Sequence, residues 1–164
     1  MGRAPAIRLR APQTTDVVED ALHGSSYHPV DDVVLRRNDG VPAYNLAVVV
    51  DDAFQGVEEV VRGDDLLPSA APQQVLGRLL KLPSVRYVHV PLALNATGQR
   101  LAKRDGAVTL RRLAAQGTDA TEALATIGYS LGLCSESERV TPLQLIDRFD
   151  IAALPKQPWI VRRS

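Results

Sequence analysis

A single cysteine, Cys134, is present, so no internal disulfide can form and no cysteine-rich zinc site can be built. That usage suits a reducing cytoplasm. A surplus of one charge sign is also lacking. The 19 basic and 19 acidic side chains cancel, so global charge singles out no partner. A nucleic-acid binder with this balance would need a local basic patch. No apolar run approaches the roughly 20 residues a membrane-spanning helix needs; residues 46–50 are typical of the longest. The N-terminus carries Arg3, Arg8 and Arg10 without the apolar stretch of a secretory signal. Internal repeats and low-complexity segments are absent too. These absences leave a soluble, cytoplasmic protein with no membrane partner as the expectation. What is there, 164 residues of which 45% are hydrophobic, suffices for one domain with a core and a modest tail.

Residues 6–10 alternate apolar and basic side chains, as an edge strand would. Residues 12–29 are polar, contain Gly24, Ser25 and Ser26, and read as irregular. Residues 31–37 form a strand candidate closed by the turn signal Asn38-Asp39-Gly40. Residues 43–54 are ambiguous. Val48-Val49-Val50 has strand propensity, whereas Tyr44, Ala47, Val48 and Asp51 fall at helical spacing behind Pro42. Residues 57–62 read as a buried strand ending in Gly63-Asp64-Asp65, and residues 72–80 carry a helical stripe of Val75, Leu79 and Leu80 behind Ser69. Residues 85–94 are the next strand and 95–98 a turn. Strand, helix, strand in this rhythm argues for a parallel α/β sheet. Beyond Gly106 the pattern turns helical over 108–116, over 121–131 behind Thr118-Asp119, and from Thr141-Pro142 to Arg148. Residues 150–164, with Pro155 and Pro158, should be an extended tail.

The segment richest in chemistry is Gly98-Gln99-Arg100-Leu101-Ala102-Lys103-Arg104-Asp105-Gly106. Its glycines let a loop move and let backbone approach a ligand closely. Lysine and arginine on such a loop can meet the phosphates of a nucleotide. His23, His28 and His89 form no His-x-Gly-His pair, and His89, inside a strand pattern, reads as a satisfied semi-buried histidine rather than a ligand. Cys134 reads as an inert apolar residue. Asp51-Asp52 has no histidine nearby in sequence, and helical neighbours point in different directions, so structural hydrogen bonds to nearby backbone are expected of it rather than metal binding.

Pro42-Ala43-Tyr44-Asn45-Leu46-Ala47-Val48-Val49-Val50-Asp51-Asp52, its continuation VEEVVRGDDLL from Val57 to Leu67, and residues 90–108 resemble the glutamate-activating class I aminoacyl-tRNA synthetases, in particular the glutamyl-Q tRNA(Asp) synthetases. The resemblance favours a helix at 43–54. It implies an α/β fold, the second half of a Rossmann-type parallel sheet followed by a small helical tail. Residues 1–106 would be the C-terminal half of the catalytic domain with its signature loop, and residues 107–164 the tail. Arg100-Leu101-Ala102-Lys103-Arg104 is similar to the family's Lys-Met-Ser-Lys-Ser signature, which glutamate enzymes often write Lys-Leu-Ser-Lys-Arg. It implies that Lys103 is catalytic, stabilising the triphosphate as pyrophosphate leaves. Arg100 keeps the charge of the usual lysine; Ala102 loses a serine hydroxyl, which implies a weaker loop clamp. The family's glutamate pocket implies Tyr44 and Arg62 as substrate-binding residues. A guanidinium takes a carboxylate bidentately, and a tyrosine offers a hydroxyl and a flat wall.

The resemblance runs over residues 6–158. It does not include the family's first half, with its His-x-Gly-His motif, an arginine for glutamate and, in many members, a zinc-bearing insertion. A truncated gene, a misplaced start or a separately encoded N-terminal half would each account for that, and no zinc site is expected in this chain. The short stretch beyond Gly106, ending in Leu154-Pro155 and Trp159, resembles the glutamyl-Q branch, which lacks the large anticodon-binding region. The implied reaction uses ATP, as its Mg complex, to activate glutamate and transfers it to the queuosine of tRNA(Asp). Arg100, Lys103, Arg104, Arg111 and Arg112 would form a basic edge, although Arg111 and Arg112 read more readily as a solvated helix face. Two alternatives stay open: a truncated, non-catalytic nucleotide- or tRNA-binding paralogue, and a fragment of a glutamyl-tRNA synthetase. A half-sheet is also expected to expose an apolar edge that favours self-association.

Overall fold

The computed structural model describes residues 4–101, 109–136 and 138–161. The chain divides into two compact units, Met1–Val90 and Pro91–Ser164.

The first unit contains β1 (Ile7–Arg8), β2 (Thr15–Asp20), β3 (Gly24–Pro29), β4 (Val34–Arg36), α1 (Tyr44–Gln55), β5 (Glu59–Gly63), α2 (Leu67–Leu79) and β6 (Arg86–Val90). Its main sheet has the order β3-β2-β6-β5. Strand β6 lies parallel to both β2 and β5, while β2 and β3 form an antiparallel hairpin. The class is therefore α/β as expected, with a mixed rather than purely parallel sheet. Strands β1 and β4 make a separate antiparallel ribbon. Val18, Val30, Ala70, Ala71, Val75 and Tyr87 form the core, where α2 covers one face of the sheet.

The hairpin corrects the reading of residues 12–29 as irregular. Strand β2 carries only Val17 and Val18 as apolar signal, and β3 is the sheet's polar outer strand, so neither shows clean alternation. Backbone pairing from Thr15↔Pro29 to Asp20↔Gly24 holds them, and Gly24 takes φ 75°, beyond easy reach of a side-chain-bearing residue. On the opposite side of the sheet, β5 is an outer strand with Val61 59% exposed, not the buried strand expected of residues 57–62.

The helix reading of residues 43–54 is right despite the valine run. Gly56 closes α1 in the left-handed region at φ 69°, and Val57 N donates back to Asp52 O at 2.9 Å, so the last carbonyls are satisfied. Helix α2 starts at Leu67, earlier than the expected 72, and contains Pro72. Burial of Ala70, Ala71, Pro72, Val75 and Leu76 offsets the hydrogen bond the proline cannot make. Leu79 and Leu80, expected on the apolar stripe, are exposed; Val75 and Leu76 form it.

The second unit contains β7 (Ala93–Leu94), α3 (Leu110–Ala115), α4 (Ala120–Ser130), α5 (Pro142–Arg148) and β8 (Trp159–Ile160). The expected extended tail is interrupted by a 3-10 turn at Ile151–Ala153 and ends in β8, which pairs parallel to β7. Reciprocal capping boxes, Asp119 with Glu122 and Thr141 with Gln144, start α4 and α5 where the sequence signals them. Gly128 lets α4 approach its neighbours. A Cβ there would sit 2.8 Å from Cys134 Sγ and 2.9 Å from a Leu145 methyl.

Two outcomes are expected. Gly128→Val should lower the stability of the second unit by about 2 kcal/mol through overpacking, read in urea by the fluorescence of Trp159, the sole tryptophan. The outer strand β5 should drive self-association. Mass by light scattering should rise with concentration, and Val61→Lys should suppress the rise; a wild-type chain monomeric at all concentrations would show that the edge is inert.

Candidate functional site

In the parallel pairing of β5 with β6, Val60 lies opposite Tyr87 and Arg62 opposite His89. Side chains alternate between faces along a strand, so these four share one face. Asp20, the last residue of β2, is paired with Tyr87 on the other side of β6. Register thus sets Asp20 beside Tyr87 and Arg62 beside His89, and Asp20 reaches diagonally to His89, so the three side chains meet across three strands.

Their hydrogen bonds are mutually determined. Arg62 Nε donates to His89 Nε2 at 2.9 Å. Arginine has only donors, so Nε2 must be unprotonated and Nδ1 must carry the imidazole hydrogen. That hydrogen is donated to Asp20 Oδ2 at 2.7 Å. Asp20 Oδ2 also accepts from His89 N, and Oδ1 accepts from Leu22 N at 3.0 Å and His23 N at 2.9 Å. On its other side Arg62 NH1 donates to Gln73 Oε1 at 2.8 Å, which fixes that amide so that its Nε2 donates to Asn45 Oδ1 at 2.9 Å. A third donor, NH2, reaches Leu66 O at 3.4 Å. The guanidinium carbon lies 5.2 Å from the Tyr87 ring centre, and that ring stacks on His89 at 5.7 Å.

His89 is completely buried, Asp20 and Gln73 nearly so, and Arg62 half-buried. Burial, reinforced by the Arg62 charge, holds the His89 imidazole below its usual range in spite of the pull from Asp20. Burial alone would raise Asp20, yet the N–H groups of His23 and Leu22, with the His89 ring and backbone, bring it below the usual carboxylate range. Burial raises the Tyr87 hydroxyl, and Asp52 adds to that against the opposing charge of Arg62. Arg62, Gln73 and Tyr87 face a cavity of about 230 Å³ that Val48, Asp52 and Arg78 also line.

Of the residues singled out by sequence, Arg62 is thus fixed in a network. Tyr44 opens α1, 61% exposed and next in the chain to Asn45, the far end of that network. Asp52 lines the cavity and Asp51 is exposed. His89 is more deeply buried than expected and satisfied at both ring nitrogens. In the second unit, Asn95 Oδ1 accepts from Thr97 N, Thr97 Oγ1 and Gln99 N, forming the expected turn, and Gly98 takes φ 76°. Arg100 then pairs with Leu94, and Leu101 is exposed. Ala102, Lys103 and Arg104 lie outside the described residues. Arg111 and Arg112 are exposed on α3. Sequence reasoning missed Asp20, Asn45 and Gln73. No local motif marks them, because each acts through partners distant in the chain.

The family described as class I tRNA synthetases (E and Q), catalytic domain, matches residues 1–164. The chain belongs to that family. It is 57% identical over 160 residues to a glutamyl-Q tRNA(Asp) synthetase of Nocardia farcinica, covering 98% of this chain and 50% of the relative. It is 42% identical to one from Symbiobacterium thermophilum, covering 96% and 50%. The synthetase-family chain therefore spans about half the length of the curated relatives it matches. A glutamate tRNA ligase from Elizabethkingia meningosepticum, solved in complex with its amino acid, shares the fold with a TM-score of 0.78 at 23% identity, over 94% of this chain and 36% of that one. Among the described residues no helix is long and apolar enough to cross a membrane.

The buried imidazole sets an expected pH dependence. Held below its ordinary 6.5, it takes up a proton more readily in the unfolded chain than in the folded one. Its contribution to stability is complete above 6.5 and drains away as pH falls through the lowered folded value. Asp20, lowered from 3.8, adds a second loss at more acid pH. The urea midpoint of the wild-type chain, followed by circular dichroism, should be level above 6.5 and fall below it.

Proposed function

We propose that the chain carries the glutamate-recognising and pyrophosphate-releasing part of a glutamyl-Q tRNA(Asp) synthetase. The observation that carries the reading is Arg62. Of the five N–H groups of its guanidinium, three are engaged by His89, Gln73 and Leu66, which leaves one on NH1 and one on NH2 for a ligand carboxylate. A guanidinium held by neighbours loses little freedom on binding, which favours affinity. Tyr44, at the mouth of α1, supplies a hydroxyl and a ring to the same substrate. Residues 1–106 serve as the catalytic part, including the signature loop, and residues 107–164 as the tail.

Lys103 is the catalytic residue of the loop, with Arg100, Leu101, Ala102 and Arg104 as its ATP-facing frame. Its positive charge meets the negative charge that builds on the departing pyrophosphate of Mg-bound ATP. Glutamyl-adenylate is formed and its glutamyl group passes to the queuosine of tRNA(Asp). The names of the relatives, of which this chain spans about half, support that acceptor. The ATP site needs in addition the family's His-x-Gly-His part, for which a separately encoded N-terminal half is one source, and the reaction takes place in the cytoplasm.

Glutamate-dependent ATP–pyrophosphate exchange, assayed with the chain alone and mixed with any product encoded just upstream, tests this. Exchange is expected in the mixture; Lys103→Ala should lower it roughly a hundredfold, and Arg62→Gln should raise the KM for glutamate about tenfold or more. Absence of exchange in both preparations would sink the reading. Charging of tRNA(Glu) at its acceptor end would reassign the chain to a glutamyl-tRNA synthetase.

A further inference from the structure

Arg62 reaches the cavity only because something holds its guanidinium there, and the holder on the Nε side is an imidazole nitrogen. His89 must accept through Nε2 and donate through Nδ1. Only the neutral Nδ1–H tautomer does both. The other neutral tautomer and the imidazolium each set an N–H against the Arg62 Nε–H, across a nitrogen separation of 2.9 Å. Asp20 selects the tautomer, since its saturated carboxylate can accept from Nδ1 but cannot donate. The charged and titratable groups facing His89 are Asp20 from β2, His23 from the turn that follows, Arg62 from β5 and Tyr87 from its own strand. As they stand, the carboxylate and guanidinium charges cancel across a neutral ring. A proton on His89 would leave the buried row with a net positive charge.

We propose that His89 is a positioning residue for substrate recognition: locked by Asp20 as its neutral Nδ1–H tautomer, it presents a bare Nε2 that aims Arg62 at the glutamate carboxylate, and protonating that nitrogen releases Arg62 and switches recognition off. The solvent proton bonds to the Nε2 lone pair, and the Arg62 Nε–H loses its acceptor. Asp20 and Gln73 hold the two ends of the arrangement, one through the ring and one through NH1. The proposal rests on the reading of Arg62 as the glutamate receptor, but its first half can be tested without glutamate.

The experiment uses the full chain labelled with 15N on histidine and arginine. In the wild type, the His89 nitrogens should report a protonated Nδ1 and an unprotonated Nε2, and the Arg62 Nε–H resonance should be protected from exchange. Both should change together on acidification below 6.5. His89→Gln can still accept from Arg62 through its amide oxygen and should retain the protected Arg62 resonance. His89→Asn is too short to reach and should lose it, with circular dichroism checking that each variant folds. An Nε2–H tautomer in the wild-type chain, or an Arg62 resonance unmoved by acid, would overturn the proposal without any variant being needed. Glutamate titration then tests the second half. Wild-type affinity should drop roughly tenfold as His89 takes up its proton, and the drop should vanish in His89→Gln. Binding that ignores pH while the tautomer holds would overturn the switch alone. No glutamate binding at any pH, with tautomer and resonance as expected, would instead count against Arg62 as the glutamate receptor.

Discussion

Asp20 is a buried carboxylate whose acceptor positions are filled by neighbouring N–H groups of the first unit. A buried charge left unpaired costs several kcal/mol, far more than one hydrogen bond returns. Four donors reach it: the turn after β2 brings two, and the backbone and ring of His89 on β6 bring two. To satisfy it, β2 must lie beside β6 and end where it does, the chain must turn sharply after it, and His89 must point to the same face. The neighbouring of β2 and β6 and the turn after β2 meet the same requirement that fixes the tautomer of His89.

The constraint then passes outward. A fixed tautomer fixes where Nε2 points, that fixes Arg62, and Arg62 fixes the amide of Gln73 and through it Asn45 at the start of α1. Each donor-only or acceptor-only group removes one choice from the next. The result is a guanidinium held by three protein neighbours, stacked over an aromatic ring and half-open to a cavity. Recognition sites gain from such support, because a side chain already ordered gives up little entropy on binding. The electrostatics agree. The row is neutral only with His89 unprotonated, and burial of the ring favours the same state.

The second unit is held differently. Its helices α4 and α5 start on capping boxes, and Gly128 leaves room for Cys134 and Leu145 to lie close against α4. Its basic segment follows an Asn95 turn whose side chain organises three donors. Local hydrogen bonds dominate here, whereas the first unit depends on bonds between residues far apart in the chain.

That contrast explains what could be read from the sequence. The Asn95 turn, the starts of α4 and α5 and the segments that mark the synthetase family are local patterns, carried by residues near one another in the chain, and the sequence determined them. The helix at 44–55 was ambiguous in its residues and was favoured only by the family resemblance. Arg62, within VVRGDD, was singled out through the family resemblance, and the folded protein brings it into the buried network. The hairpin of residues 15–29, the outer position of β5 and the early start of α2 around Pro72 were decided by tertiary structure. Strand pairing and burial there override weak or contrary local preferences. So too were Asp20, Gln73 and the tautomer of His89. A buried polar group is defined by the partners that satisfy it, and those partners come from distant parts of the chain and meet only in the folded protein.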